Sequence, residues 1–146
     1  KEIDLLSLRK QFNTKGYEII KKELFYKIFL KNRDKIQSGS KIYEWSFPFV
    51  DIFTYKKNNN KYEITNNNNL WKDKFYYEDE LFPLKKHIFG NYTINIPLKS
   101  ENYCKRNYGD NWFNIGEQIY NHEKEHYVKK IKFKLTPDDR LPAKPF

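Results

Sequence analysis

The stretch Ser46-Phe-Pro-Phe-Val-Asp-Ile-Phe-Thr-Tyr55 decides how this chain reads. Apolar and aromatic residues fill both alternate sets of positions, as in a strand covered on both faces, which places it centrally in a sheet. Pro48 belongs near its beginning, where a missing ladder donor is tolerated. Asp51 interrupts the run, flanked by Val50, Ile52 and Phe53. An ionised carboxylate inside a core is expensive unless it finds a charge partner, a metal or hydrogen-bond donors. A salt bridge to one of the many lysines, a turn-capping role and a metal-binding role each meet that demand.

Upstream, Tyr17, Ile19 and Ile20 follow Gly16 and enter a strand, and the β-prone run FYKIFLK forms another that ends near Asn32. Residues 3–12 read as a strand end running into a short helix, and residues 32–40 as a turn. Downstream, residues 56–69 form a polar loop in which NNN and NNNN surround the strand-like KYEIT. Lys86 to Pro97 alternates apolar residues on both sides of Gly90-Asn91, a strong hairpin signal because both residues tolerate positive φ. Ser100 to Tyr108 reads as a helix stopped by Gly109. A second helix is predicted from Ile115 to about His126, then a strand from Val128 to Leu135. This succession gives an α+β domain over residues 1–135 and a Pro-rich tail over 136–146.

The chain has 146 residues, 28 of them Lys or Arg and 19 Asp or Glu, for a net charge of +9. Aromatic residues make up 18% of it, which excludes a disordered chain, since each buried ring removes about 150–250 Å² from water. No apolar run reaches the roughly 18 residues of a membrane-spanning helix. The single cysteine, Cys104, excludes an internal disulfide framework. Abundant Lys, Asn, Ile and Tyr with scarce Ala and Gly is the residue usage of an A+T-rich genome. The lysines are dispersed and no nucleic-acid-binding signature appears, so nucleic acid is not expected as a partner. The positive potential still favours anionic ligands, nucleotides and phosphorylated substrates among them.

Two constellations carry chemistry. His122-Glu-Lys-Glu-His126 satisfies HExxH, which on a helix brings two histidines to one face for zinc and offers Glu123 as a base of a zinc hydrolase. Its charged middle positions and the short Pro-rich sequence after it favour a solvated helix face instead. The second is Glu2 and Asp4, whose alternate spacing on a strand would let both hold one divalent cation. With Asp51 on a neighbouring strand they become three carboxylates for Mg²⁺, the arrangement that phosphoryl or nucleotidyl transfer requires.

Four blocks, FPFVDIFTY, DELFPL, FGNYTINIP and YCKRNYGDNW, stand in an order that resembles the LicD/fukutin-type phosphotransferases over about residues 1–112. That resemblance implies a nucleotidyltransferase-like mixed β-sheet with flanking helices. It also implies that the N-terminal part of such a domain is missing, because a GGTLLG-type segment is expected upstream. The implied activity is metal-dependent transfer of a phospho-substituent (phosphocholine, phosphoribitol or a sugar phosphate) from a nucleotide-activated, CDP-linked donor to a glycan. Glu2, Asp4 and Asp51 would then be both the catalytic carboxylates and the ligands of Mg²⁺ or Mn²⁺. Lys1 and Glu2 depart from the family's DDDID block, where Asp is usual. Lys85 and Lys86 are candidates for the donor phosphates and Asp110 for a ligand hydroxyl, each against a plainer role as solvated charge or cap. An inactive fragment or accessory module of the same family is the alternative. The location implied is the Golgi or secretory pathway for a eukaryotic protein and the cytoplasm for a bacterial or viral one.

Overall fold

A computed structural model describes residues 4–65 and 71–141; strands take up 47% and helices 20% of these described residues, so the chain is α+β. A 3₁₀ turn at Leu5–Leu8 leads into α1 (Arg9–Thr14), β1 (Tyr17–Lys21), β2 (Phe25–Leu30), β3 (Lys35–Ser38), β4 (Lys41–Ser46) and β5 (Phe49–Phe53). Then come β6 (Tyr55–Asn58), β7 (Lys61–Ile64), β8 (Phe75–Tyr77), α2 (Glu78–Leu81), β9 (Lys85–Phe89), β10 (Tyr92–Ile96) and α3 (Ser100–Tyr108). The last elements are β11 (Ile115–Asn121), β12 (His126–Lys134) and a 3₁₀ turn at Asp138–Arg140. Five small sheets hold these strands. The chain divides into two compact units, one of Lys1–Thr54 with Gln118–Lys130 and the other of Tyr55–Glu117 with Ile131–Phe146. Among the described residues no helix is long and apolar enough to cross a membrane.

In the first unit β1, β2 and β5 form an antiparallel sheet in that order. The central strand is therefore β2, and β5, expected in the middle, lies at the sheet's edge. It reads as a covered strand because one of its faces is packed by aromatic residues, while Val50 on the other is 61% exposed. Phe29, Ile36 and Trp45 make the core, with Ile20, Tyr43 and Phe49 packed against it. The β3–β4 hairpin supplies Ile36, Tyr43 and Trp45, so residues 32–40 hold a strand as well as a turn. Ser46 is fully buried and donates its hydroxyl to Leu30 O at 2.8 Å. Alternation along β2 sends Tyr26 to the opposite face from Lys27 and Phe29. On that face Ile19 and Tyr26 are buried, and Arg9 of α1 donates to Ile19 O.

The predicted helix over Ile115–His126 is a β-hairpin instead. His122 to Glu125 form its turn, Lys124 N donates to Asn121 Oδ1 at 2.9 Å, and Glu125 adopts φ +49. An asparagine side chain that closes a turn on a following backbone N–H competes directly with helix propagation.

The second unit carries the antiparallel sheet β6-β7-β8, the β9–β10 hairpin and α3. The hairpin turns at Gly90-Asn91 as expected, with Gly90 at φ +58. Its α3 spans the predicted residues and stops at Gly109, whose φ of +83 and ψ of 173 belong to a region almost reserved for glycine. KYEI of the Asn-rich loop forms β7 as expected; residues 66–70 lie outside the described residues, as do residues 142–146 of the Pro-rich tail.

Candidate functional site

Register between β2 and β5 fixes the surroundings of Asp51. Lys27 stands directly opposite it, with the pairs Phe25–Phe53 and Phe29–Phe49 on either side, so these side chains share one sheet face. Lys27 Nζ lies 2.8 Å from Asp51 Oδ1; the lysine side chain is 3% exposed and the aspartate 26%. The ammonium also sits 3.2 Å from the ring centroid of Phe49, 4.7 Å from that of Trp45 and 5.4 Å from that of Phe25. Rings attract a desolvated cation through their quadrupoles. Burial pushes the Lys27 pKa down; the hydrogen bond and charge of Asp51 oppose this without cancelling it.

A second acid adds to this environment from the β11–β12 turn. Glu125 accepts from Trp45 Nε1 at 3.2 Å through one oxygen and from the Tyr120 hydroxyl at 2.8 Å through the other. Tyr43 donates to its backbone carbonyl. Burial and the adjacent Glu125 carboxylate raise the Tyr120 pKa. His122 meets the edges of Phe49 and Tyr120.

Asp4 serves a different local purpose. Its Oδ1 caps the first 3₁₀ turn by accepting from Leu6 N at 3.0 Å, and the Tyr26 hydroxyl approaches the same oxygen at 3.5 Å. Because Tyr26 and Lys27 are successive on β2, Asp4 and Asp51 meet that strand from opposite faces. Glu2 lies outside the described residues. Among the described residues no group of three His, Cys, Asp or Glu side chains could hold a metal ion. Among the described residues the donor set around Asp51 therefore does not fit Mg²⁺ or Mn²⁺: its nearest charge is the Lys27 ammonium, and Asp4 meets β2 from the other face.

Lys85, Lys86 and Asp110 belong to the second unit and are exposed. The two lysines are successive on β9 and point to opposite faces of their hairpin. Asp110 follows Gly109 in the turn after α3, where Trp112 N donates to Gly109 O. Among the described residues of this unit Glu80 is a buried charge, 8% exposed at the side chain. Arg106 donates to both its oxygens, at 2.7 and 3.3 Å, and also to Phe75 O. Asn102 Nδ2 and Tyr77 N donate to the same carboxylate. The fork joins the DELFPL block to the YCKRNYGDNW block, and Lys99 N to Glu80 O adds a backbone tie.

His122 and His126 flank a turn, so the helical face that HExxH needs does not form. His126 is exposed, its Nδ1 near Lys124 O. Sequence reading does not single out Lys27, Glu80 or Arg106. Their signal is present nonetheless: Lys27 is the single charge within FYKIFL as Asp51 is within FPFVDIF, and opposite lone charges in adjacent apolar strands seek each other.

No family model matches the chain, and no solved structure matches it. An uncharacterized protein of Rickettsia typhi is 34% identical over 103 residues, covering 66% of this chain and 32% of the relative. An uncharacterized protein of Rickettsia prowazekii is 34% identical over 104 residues, covering 66% of this chain and 38% of its own. The chain thus spans about a third of the length of the curated relatives it matches.

Proposed function

We propose that this chain forms part of a transferase of nucleotidyltransferase type that moves a phospho-substituent from a nucleotide-activated, CDP-linked donor to a glycan. The observation that carries this reading is the order of the four sequence blocks, each more informative in that order than alone. The ion pair between Glu80 and Arg106, which fastens two of those blocks together, supports treating them as one design. In the reaction an acceptor hydroxyl oxygen attacks the substituent's phosphorus, the bond to the bridging oxygen breaks, CMP leaves and the hydroxyl proton is lost. Asp51, Asp4 and Glu2 are its proposed carboxylates, Mg²⁺ or Mn²⁺ its proposed cofactor, and Lys85, Lys86 and Asp110 its proposed substrate contacts. No step is routed through the metal, since the described residues around Asp51 do not fit it.

The Lys27–Asp51 pair favours a second reading, an accessory module that keeps the fold without the chemistry. The test offers CDP-choline and CDP-ribitol separately to the protein with Mn²⁺ and measures CMP release, with and without EDTA. EDTA-sensitive release that Asp51→Asn removes supports the transferase. Binding of either nucleotide without release supports the accessory module, and neither binding nor release overturns the transferase reading.

A further inference from the structure

We propose that the tip of the β9–β10 hairpin docks into the interface of a membrane carrying anionic lipid. Ile88, Phe89 and Tyr92 enter the headgroup boundary, and Lys85 and Lys86 stay behind them at the lipid phosphates. The inference is independent of the transferase reading, in which these lysines are proposed donor contacts. It starts from apolar residues that the hairpin leaves uncovered. All five residues of β9 and the first four of β10 are exposed, although a two-stranded hairpin alone in water is marginally stable at best. Ile88 is 70% exposed, Phe89 62% and Tyr92 75%. Phe89 pairs with Tyr92 and Ile88 with Thr93, so the apolar side chains stand on both faces of the ribbon.

A protein partner laid against this ribbon would cover one face and leave the other in water. A lipid interface surrounds a protruding tip and takes up both faces. Tyrosine suits that depth, where its ring is buried and its hydroxyl stays hydrated. At a strand rise of about 3.4 Å per residue, Lys86 lies about 10 Å behind Phe89 along the strand, and interfacial segments bury their apolar side by about 5–10 Å. Charge completes the match. Residues 85–100 contain no Asp or Glu, and the whole chain carries +9. Lys99 is paired with Asp79, whereas neither Lys85 nor Lys86 has an acidic partner among the described residues. A second copy would bring the same lysines together, so the like-charged hairpin is the poorer occupant.

The experiment is co-sedimentation of the whole chain, without nucleotide, with two kinds of vesicle: phosphatidylcholine alone, and equal parts of phosphatidylcholine and phosphatidylserine. The variants are Lys85→Gln with Lys86→Gln, and Ile88→Ser with Phe89→Ser. A third protein, Asn91→Cys with Cys104→Ser, carries an environment-sensitive fluorophore at the turn. The expected result is binding to the serine-containing vesicles alone, with a blue shift of the fluorophore. The lysine variant should bind more weakly by about fivefold per lysine. The tip variant, its circular dichroism unchanged, should bind at least about tenfold more weakly. Absence of binding overturns the proposal. So does binding that falls with the lysines but is indifferent to the tip and shifts no fluorescence, which is attraction by net charge alone. Self-association that the tip variant abolishes, without vesicle binding, overturns it in favour of a second copy.

Discussion

Glu80→Gln keeps the shape of the side chain and removes the charge that Arg106 grips. Breaking a buried ion pair by neutralising one partner costs about 3–5 kcal/mol, chiefly because the other charge is left buried alone. Arg106 is less exposed to that penalty than most. Its side chain is 19% exposed, it keeps its bond to Phe75 O, and its guanidinium lies 4.2 Å from the Phe75 ring centroid. The expected loss is therefore about 2–3 kcal/mol, scaled down from that range. Arg106→Met strands the carboxylate instead and should cost the full range. The double substitution should cost less than the sum by at least about 1 kcal/mol, the mark of a direct pair. Acid adds an independent check. Burial pushes the Glu80 pKa up, but Arg106, Tyr77 N and Asn102 outweigh it, and the net shift is downward from 4.5. A depressed carboxylate contributes stability that is complete above its unfolded pKa and disappears as pH falls through the folded one. The gap between wild type and Glu80→Gln should accordingly be constant near neutrality and close on acidification below about 4.5. Urea unfolding at several pH values, followed by circular dichroism and by tryptophan emission, measures it. A Glu80→Gln protein within about 0.5 kcal/mol of wild type at pH 7 would refute the reasoning, as would a gap that acid leaves unchanged.

Two further outcomes follow from local geometry. Gly109→Ala should destabilise by about 1–3 kcal/mol in the same urea assay, because alanine is strained at φ +83 and ψ 173. Replacing His122 and His126 together by alanine should change stability by no more than about 1 kcal/mol, the scale of the ring contacts His122 makes; titrating zinc into the wild type calorimetrically should show no stoichiometric site.

Periodicity served the sequence reading where the local signal and the tertiary surroundings agree. FYKIFL, the Gly90-Asn91 hairpin and the Ser100–Tyr108 helix with its glycine stop all form as read. The segment from Ile115 to His126, expected as a helix, is a hairpin in which Asn121 closes the turn and Glu125 is engaged by Trp45 and Tyr120, contacts that a local window does not show. The β5 run looked central because its aromatic residues are covered, and covering by a hairpin from above cannot be told from pairing on both sides. At the candidate site, the demand that Asp51 makes for a partner was legible; which partner answers it depends on the register of two strands. Asp4 likewise shows its acidity in the sequence, while its capping of a 3₁₀ turn depends on the backbone it helps to form.

The interleaving of the two units sets an order of events on the ribosome. Trp45 meets Glu125 across 80 residues of chain, and the intervening residues include most of the second unit. At about 5–20 residues per second, translation delivers the Gln118–Lys130 segment roughly 4–16 s after the β4 tryptophan has been made. Through that interval the nascent β1–β5 segment holds its lysine, its aspartate and its aromatic rings without Glu125, Tyr120 or His122, and Tyr55–Glu117 has emerged before the first unit can close. A stalled or truncated chain ending before the hairpin turn would thus present an unfinished first unit beside a nearly complete stretch of the second.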